Sequence, residues 1–442
     1  MSVPQNRRTL LVGEICIDVS LMPGSQENKL RLGGIVHAAR GFWALGHPFE
    51  VAAIVPSYLE SSAAQYLKEF GCVAFHKVGE IVGAPSVTLI GDATEVADQG
   101  YETLLRDEKQ VVLSNLDLSQ EPFEDVLLFP GSYDLRSICN KLPQAAALHL
   151  DVAYDLEGPE ALKSLPQRIA TVMISTSSPL FLSLGSGGFS DFAAAFIGCG
   201  AQVLILKENR GGSRMSVGNE TLLLPAQLGE TVNSVGVGDV FAAAFVANLH
   251  QGPYEAGLRA TRAASSYSQT TYPDLFKQYV RREQALSLED MEALGGVSLP
   301  WEARQMLNIY FAAPDFTYVD RLPLERVIAA LRYHNFILRR PIVENGEMPR
   351  NATTTELAVA FKADCALLKE CDLVFAVPLE RDPGTLVEIG LAIEAGIPVV
   401  VYDALRENNN TMVMAGASHY SSDLDSCLNA TFMLLSKVRR NE

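Results

Sequence analysis

The chain has 442 residues, 48% of them hydrophobic, and a formal net charge of −17 at pH 7. This length exceeds one ordinary domain and predicts two or three. The negative charge argues against a nucleic-acid polymer or an anionic membrane as a partner, because both require basic surfaces. No apolar run approaches the roughly 20 residues of a membrane span, no signal peptide is visible, and the seven cysteines lack metal-ligand spacing. We therefore expect a cytoplasmic protein with reduced thiols and no metal site.

The N-terminal half opens with a strand over residues 9–13, which is followed by GEICIDVS with Asp18 near its end. Two glycines, Gly33 and Gly34, then precede an alanine-rich helical stretch. Residues 85–113 follow an alternating, polar pattern, which is typical of hairpin strands. We expect these hairpins to project from the main sheet as a small β lid.

Four later apolar runs are separated by helical patterns and read as successive parallel strands. They cover residues 126–130, 147–152, 171–175 and 202–207. Strands that alternate with helices in this way predict a doubly wound α/β fold.

The chemical signal of this half is the segment NSVGVGDVFAAAF, which starts at Asn233. Gly236, Val237 and Gly238 allow a tight turn whose amides point one way at a helix N-terminus, which is a binding site for anions. Asp239 on the first turn could deprotonate a hydroxyl that attacks a phosphoryl group held there. The alternative is a glycine turn with a capping Asp.

The stretch from Thr9 to about Tyr279 resembles the ribokinase-like (PfkB) carbohydrate kinase family, which includes sugar and nucleoside kinases. The resemblance rests on the GEICIDV opening, the LGG-initiated helix, the lid-like hairpins, the KENRGGS segment and the GVGD signature. It implies that Asp239 is the catalytic base. The implied anion-hole and ATP positions are Gly236, Val237, Gly238 and Lys207, and the implied sugar-binding positions are Asp18, Gly33, Gly34 and His37.

The chain departs from that family's pattern in three places. Asn233 stands where the signature usually begins with Asp, and His37 replaces an Asn that binds the sugar. The Asn-x-x-Glu element that organises magnesium is missing from residues 175–181, which read STSSPLF. Lost metal-site residues weaken charge neutralisation at the phosphoryl group. Two interpretations therefore stay open: a kinase with ATP and Mg²⁺ as cofactors, or a pseudokinase that binds a nucleoside or acts as a scaffold.

Residues 281–304 are charged and then rich in Gly and Pro, which is typical of a linker with a short helix in it. We therefore divide the chain into a first domain at 1–285, a linker at 286–305 and a second domain at 306–442.

The second domain contains a complete βαβ pattern in residues 371–402, CDLVFAVPLERDPGTLVEIGLAIEAGIPVVVY. An apolar run follows Asp372, a polar loop contains Asp382, and the next helix carries Glu388 on an otherwise apolar face. A carboxylate near a helix N-terminus suits a nucleophile, and a second carboxylate can manage a proton, as in retaining glycosidases. The alternative is a loop acid beside a solvated helical residue.

Nearly all of residues 307–437 resemble the nucleoside 2-deoxyribosyltransferase family. The matching pieces are IYFAAPDF, CDLVFA, DPGTLVEIG with its acid-to-acid spacing, and a late NTM. The resemblance implies a flavodoxin- or Rossmann-like parallel α/β domain that needs no cofactor. The resemblance implies that Glu388 is the nucleophile and that Tyr310 orients it. It implies that Asp372 and Asp382 bind the base and handle its proton. It also implies that Asn410 binds the sugar 5′-hydroxyl in the site of a neighbouring subunit.

Together these features predict a two-domain enzyme of nucleoside metabolism that forms at least a dimer. The second domain would cleave or transfer an N-glycosidic bond of a nucleoside or deoxynucleoside, and the first would bind a sugar or nucleoside and could phosphorylate it. Two alternatives stay open. The chain could be mainly a kinase with a nucleotide-sensing second domain, or a signalling glycohydrolase that consumes a nucleotide such as NAD and carries a pseudokinase.

Overall fold

The computed structural model describes residues 8–21, 28–83, 86–104, 108–153, 156–349 and 351–440. The chain divides into two compact units: unit 1 is Met1–Thr94 with Gln99–Ser298, and unit 2 is Glu95–Asp98 with Leu299–Glu442. Among the described residues, none of the helices combines the length and the apolar character that crossing a membrane requires.

Unit 1 is an α/β unit built on one large sheet. Its strands are β1 (Thr9–Ser20), β2 (Lys29–Gly34), β3 (Phe49–Ile54), β4 (Cys72–Val82), β5 (Val87–Ile90), β6 (Tyr101–Leu104), β7 (Gln110–Leu113), β8 (Asp125–Leu128), β9 (Ala147–Val152), β10 (Arg168–Ser175), β11 (Val203–Lys207), β12 (Ser213–Val217) and β13 (Glu220–Leu224). Its helices are α1 (Val36–Leu45), α2 (Ser57–Glu69), α3 (Leu135–Cys139), α4 (Pro179–Leu184), α5 (Phe189–Gly198), α6 (Val237–Asn248), α7 (Pro253–Ser268), α8 (Pro273–Gln284) and α9 (Leu288–Leu294).

The strands of unit 1 run in the order β13-β12-β11-β10-β9-β8-β1-β3-β4-β7. Those from β11 to β4 pair in parallel, while β12, β13 and β7 join antiparallel at the two edges. The buried strands are continuous apolar runs, as expected when helices cover both faces of a parallel sheet. The predicted doubly wound α/β fold is confirmed.

The lid of unit 1 is attached to the second half of β1. This strand extends to Ser20, whereas the predicted strand ended at Gly13. This half pairs antiparallel with β2 and parallel with β5, and β5 pairs antiparallel with β6. The predicted lid strands are therefore present in β5 and β6, whereas β7 joins the main sheet through β4. The start of the predicted hairpin segment, Pro85, lies outside the described residues.

Unit 2 has a smaller sheet in which every pairing is parallel, in the order β15-β14-β16-β17-β18. Its strands are β14 (Asn308–Ala312), β15 (Ile337–Arg339), β16 (Leu373–Ala376), β17 (Val399–Tyr402) and β18 (His419–Ser421). Its helices are α10 (Trp301–Arg304), α11 (Leu322–Tyr333), α12 (Pro341–Glu344), α13 (Thr354–Lys369), α14 (Pro383–Glu394), α15 (Thr411–Met414) and α16 (Leu424–Arg440). In chain order the strands follow the flavodoxin-like sequence 2-1-3-4-5, so the predicted fold of this unit is confirmed.

The segment predicted as a linker, residues 286–305, contains α9 and α10 rather than extended chain alone. Within it, Val297 forms an antiparallel bridge with Ala226 of unit 1. The boundaries 1–285 and 306–442 stay a prediction.

Candidate active site

The strand order of unit 2 points to one place for a ligand. In open parallel sheets, ligands bind beyond the carboxyl ends of the strands where the strand order reverses. Here the reversal lies between β14 and β16. The loop that leaves β16 at this place contains Glu380 and Arg381, both in the left-handed region with φ of 53° and 54°. Non-glycine residues rarely adopt this conformation, and such strain concentrates at functional sites.

At this switch point the structure brings Tyr310 and Glu388 together. Tyr310 is a fully buried residue of β14, and its hydroxyl donates to Glu388 Oε1 at 2.6 Å. Glu388 lies in the second turn of α14, a helix that begins where the loop after β16 ends. The predicted orientation of Glu388 by Tyr310 agrees with this contact.

The electrostatic surroundings of Glu388 set its protonation. Burial raises the pKa of Glu388 to about 7, the hydrogen bond from Tyr310 opposes this rise, and the negative charges of Asp364 and Asp382 add to it. Burial and the neighbouring Glu388 raise the pKa of Tyr310 well above its ordinary value, so the phenol remains the proton donor. Carboxyl groups with pKa values moved close to neutrality are typical of catalytic sites.

Asp382 combines a structural task with its predicted chemical one. It is the N-cap of α14, where its Oδ2 accepts from the backbone N–H of Thr385 at 2.7 Å and from the Thr385 hydroxyl at 2.9 Å. The following Pro383 occupies the first turn, where its missing N–H costs nothing. Both bonds use Oδ2, so the second oxygen is the one that could serve a ligand.

Asp372 does not lie with the other predicted residues. It precedes β16 and therefore stands at the amino edge of the sheet, away from the carboxyl ends of β14 and β16. There its Oδ2 accepts from the backbone N–H of Asn308 at 2.7 Å, and its own N–H donates to the Asn308 carbonyl at 2.9 Å. These bonds join two neighbouring strands, and they argue against the base-binding role predicted for Asp372.

Asp364 was not among the residues predicted from the sequence. It is a half-buried residue of α13 whose charge acts on both Glu388 and Tyr310. Its Oδ1 accepts from Asn345 Nδ2 at 2.8 Å. A signal was present, because Asp364 stands three and four residues before Leu367 and Leu368, the buried positions of this helix. That spacing places it on the same face as the core-packing leucines.

Asn410 is exposed and caps α15, with its Oδ1 accepting from the Met412 N–H at 2.8 Å. Its predicted role in a neighbouring subunit requires an exposed position, and this geometry is compatible with it.

In unit 1, the predicted nest lies at the start of α6. Gly236 is the N-cap with φ of 84°, and a Cβ at this position would lie 2.2 Å from the His37 ring, so only glycine fits. Asp239 follows on the first turn. Burial and the nearby negative charge of Asp151 raise the pKa of Asp239 to about 7, a value suited to a general base.

Lys207 is held beside this turn by a residue that sequence reasoning missed. Its Nζ lies 2.7 Å and 2.8 Å from the two carboxylate oxygens of Asp151 at the end of β9. A Cβ on Gly238 would approach the same Nζ to 3.1 Å. The predicted anion hole therefore has a paired cation at its rim.

The residues present do not fit the magnesium site that the kinase resemblance implies. Residues 175–181 read STSSPLF in place of the Asn-x-x-Glu element, and both oxygens of Asp151 are engaged by Lys207. Positive charge beside the nest comes from the lysine instead.

The predicted sugar-binding residues of unit 1 bind each other. Asp18 is 4% exposed, and its Oδ2 lies 2.8 Å from His37 Nε2. Burial lowers the pKa of His37 to about 4, so near pH 7 the neutral ring donates from Nε2 to Asp18 and accepts at Nδ1 from the Tyr267 hydroxyl, 2.7 Å away. A Cβ on Gly33 would fall 2.2 Å from the Asp18 carboxylate, which explains the glycine.

The family model described as nucleoside 2-deoxyribosyltransferase matches residues 309–423. The chain also resembles solved structures of ribokinase from Giardia lamblia, with 13% identity, coverage of 63% of this chain and 98% of that chain, and a TM-score of 0.48. Ribokinase from Cryptococcus neoformans in complex with ADP is 16% identical, with coverage of 62% of this chain and 98% of that chain and a TM-score of 0.46. A nucleoside kinase from Methanocaldococcus jannaschii is 14% identical, with coverage of 63% of this chain and 99% of that chain and a TM-score of 0.45.

The matched range begins within β14, one residue before Tyr310, and ends before α16, so it contains Tyr310, Asp364, Asp382 and Glu388. The family expected from the sequence is thus confirmed for this part of the chain: unit 2 carries a domain of the nucleoside 2-deoxyribosyltransferase family.

Proposed function

We propose that unit 2 is an enzyme that cleaves or transfers the N-glycosidic bond of a nucleoside or deoxynucleoside, with Glu388 as nucleophile. The observation that carries this proposal is the 2.6 Å bond from Tyr310 to Glu388 at the switch point of the sheet, with Asp364 and Asp382 close enough to raise the pKa of Glu388.

The geometry supports Glu388 as the attacking group. Tyr310 is bound to Oε1, which fixes the carboxylate and leaves Oε2 as the oxygen that can attack. With a pKa of about 7, a large fraction of Glu388 is ionised at neutral pH. A desolvated carboxylate of this kind is more reactive than one stabilised by water.

The reaction then proceeds in two steps. Oε2 of Glu388 forms an ester bond to the anomeric carbon C1′ while the bond from C1′ to the base nitrogen breaks, and the departing nitrogen takes a proton. In the second step a water oxygen or the nitrogen of another base attacks C1′ and loses its proton, and the ester bond to Glu388 breaks. Water gives hydrolysis, whereas a second base gives transfer.

Proton exchange with the base is assigned to Asp364, with Asp382 as a second contact. Both carboxylates act on Glu388 from different elements, α13 and the N-terminus of α14. Two acids around one nucleophile match the division of labour in retaining glycosidases.

We also propose that unit 2 forms at least a dimer in which Asn410 serves a neighbouring site. Exposed apolar side chains lie on three helices, and α14 packs against both α13 and α15. These side chains are Leu357, Val359 and Phe361 of α13, Val387 and Ile393 of α14, and Met412 and Met414 of α15. Apolar surface of this extent is typical of protein interfaces.

The test is chromatography of nucleosides, deoxynucleosides, their monophosphates and NAD after incubation with wild-type protein and with Glu388→Gln. Free base should form with the wild type and not with the variant, and dependence on an added second base would identify a transferase. The matched control is Glu394→Gln, an exposed Glu on the same helix, which should behave as wild type. Equal release of base by wild type and Glu388→Gln would refute the nucleophile.

For unit 1, we propose binding of a sugar or nucleoside and slow phosphoryl transfer. The raised pKa of Asp239 and the position of Lys207 beside the nest favour a site for a hydroxyl and a phosphate. His37 is bound to Oδ2 of Asp18, so a sugar hydroxyl would bind Oδ1, which accepts from the Cys16 thiol at 3.4 Å. Product formation from ATP and ribose or nucleosides, compared between wild type and Asp239→Asn, tests the activity. A turnover equal in both proteins would exclude Asp239 as the base.

A further inference from the structure

Unit 1 contains a cavity of 330 Å³ that lies outside the predicted nest and outside the Asp18 pocket. The described residues that line it do not include Asp239, Lys207 or Asp18. The charged side chains of its wall are Lys29, Arg31 and Arg40, and none of the described residues that line it is acidic. In a chain with 52 acidic and 35 basic residues, a wall with three cations and no acid calls for an explanation.

Arg40 is the most buried of the three, with 7% of its surface exposed. Its guanidinium donates to the hydroxyls of Tyr66 and Tyr267, and it also lies within hydrogen-bond distance of His37 Nδ1 and the Leu32 carbonyl. All four acceptors are neutral. The partners therefore hold the guanidinium in place without compensating its charge, and a buried charge without a counter-ion is costly.

Arg31 is the second arginine of the cavity wall. Its Nη2 donates to Asn233 Oδ1 at 2.8 Å and to the Val235 carbonyl at 2.9 Å, which are again neutral acceptors. Its Nε is buried and has no hydrogen-bond partner among the described residues. The carboxylate opposite Arg31 in the strand register is Asp18, which interacts with Arg31 electrostatically, but its hydrogen bonds go to His37 and the Cys16 thiol. Arg31 thus keeps donor capacity that no described side chain uses.

We propose that this cavity binds a phosphate monoester. Arginine forks match phosphate oxygens bidentately, and Lys29 adds a third charge at the exposed edge. The volume equals that of about eleven liquid water molecules, so inorganic phosphate would leave most of the cavity to solvent. A phosphorylated sugar fills it, and the rings of Tyr66, Tyr267 and Phe276 supply apolar contact for the organic part. The site is independent of the glycosidic chemistry proposed for unit 2.

The experiment is isothermal titration of the full-length protein at fixed, low ionic strength with four ligands. Ribose 5-phosphate and deoxyadenosine 5′-monophosphate are the esters, and inorganic phosphate and ribose are the comparisons. The protein carries Glu388→Gln so that unit 2 does not consume a ligand. We expect one or both esters to bind at least 10-fold more tightly than phosphate, and ribose not to compete. Which ester binds identifies the organic part.

Variants locate the site. Arg40→Gln and Arg31→Gln should each weaken ester binding at least 10-fold, and Lys29→Gln should weaken it less. The matched controls are Arg168→Gln and Lys68→Gln, which remove the same charges from exposed positions of unit 1 and should leave the affinity unchanged. Arg40 is buried, so circular dichroism checks its variant, and the partly exposed Arg31 gives a second test if Arg40→Gln does not fold.

Three outcomes overturn the proposal. The first is that neither ester binds the Glu388→Gln protein, in which all residues of the cavity are unchanged. The second is that folded Arg31→Gln and Arg40→Gln bind the ester as well as the parent. The third is that Lys207→Gln abolishes binding while Arg40→Gln does not, because the ester would then occupy the nest at the start of α6.

Discussion

The hydroxyl of Tyr310 donates to Glu388 Oε1 at 2.6 Å, and this bond links the first strand of unit 2 to the helix that follows its central strand. The bond favours the ionised carboxylate, against the effects of burial and of two neighbouring acids. In the proposed reaction, Tyr310 would therefore set both the direction in which Glu388 points and the pH at which it attacks.

The first prediction concerns this bond. Activity should rise with pH as Glu388 ionises, with an apparent pKa of about 7 in the profile of kcat/KM. Tyr310→Phe removes a bond that lowers this pKa, so the acid limb should move to higher pH. A hydrogen bond to a charged group contributes about 1.5–3 kcal/mol, which corresponds to roughly 10- to 100-fold in kcat/KM at neutral pH. Tyr333→Phe, which removes a hydroxyl from the end of α11, is the control and should leave the profile in place.

A second prediction separates Asp364 from Asp372. Asp364→Asn should lower kcat/KM by about 100-fold, as loss of an acid–base group does. It should also move the acid limb to lower pH, because a negative charge that raises the pKa of Glu388 is gone. Asp372→Ala should leave the pH profile unchanged and cost about 1 kcal/mol of unfolding free energy, since it loses the bond to the Asn308 N–H. The opposite pattern would return the base-binding role to Asp372.

A third prediction concerns stability. The folded-state pKa of Glu388 is about 7 and its ordinary value is 4.5, so the folded form favours the protonated carboxyl. The stability that this provides is complete below pH 4.5 and is lost as the pH rises through 7. Glu388→Gln should therefore stabilise unit 2 relative to wild type by roughly 2–3 kcal/mol more at pH 8 than at pH 4. Calorimetry of the unit 2 transition at both pH values measures the difference, and Glu394→Gln should show none.

The sequence was sufficient to predict the elements that hold the site. The run from Leu373 to Ala376 is a fully buried parallel strand, and Pro383 with Gly396 marks the limits of the next helix, so the βαβ unit follows from local pattern. Glu388 could be named because it lies in the DPGTLVEIG motif of this unit, and Tyr310 because it lies in the IYFAAPDF motif of the first strand of unit 2.

The role of Asp364 could not be predicted in the same way. Spacing places Asp364 on the face of α13 that carries Leu367 and Leu368, but whether that face meets the site depends on how α13 packs against α14, which is a tertiary relationship. Asp372 was the more obvious candidate because it adjoins the strand, but it precedes β16 rather than following it, and it therefore lies at the wrong edge. In unit 1 the pairing of Asp151 with Lys207 joins two strands that are far apart in sequence, and no motif marks it.

A fourth prediction tests the two tasks of Asp382. Asp382→Asn keeps an oxygen that can accept from Thr385 and removes the charge, so stability should be preserved while activity falls. Asp382→Ala removes the cap as well and should cost about 1 kcal/mol of unfolding free energy in addition. Chemical denaturation and steady-state kinetics of both variants give the comparison. If Asp382→Asn is as active as wild type, Asp382 is a helix cap alone.

The last prediction concerns the proposed exchange of Asn410 between subunits. Light scattering should show at least a dimer, and Phe361→Glu should weaken it, because Phe361 is 56% exposed in the single chain and a buried charge opposes association. Lys362→Glu, at the neighbouring exposed position of α13, is the control for the added negative charge.

Mixing two inactive proteins then tests whether the sites are shared. Glu388→Gln lacks the proposed nucleophile and Asn410→Ala lacks the residue proposed to serve the neighbour, so each alone should be inactive or nearly so. After subunit exchange, half of the dimers combine one chain of each kind, and in these one site receives both an intact Glu388 and an intact Asn410. The mixture should recover about a quarter of wild-type activity for a symmetric dimer. If each chain completes its own site, a mixed dimer holds one defect in every site and mixing restores nothing, which would contradict the exchange even in a protein that dimerises.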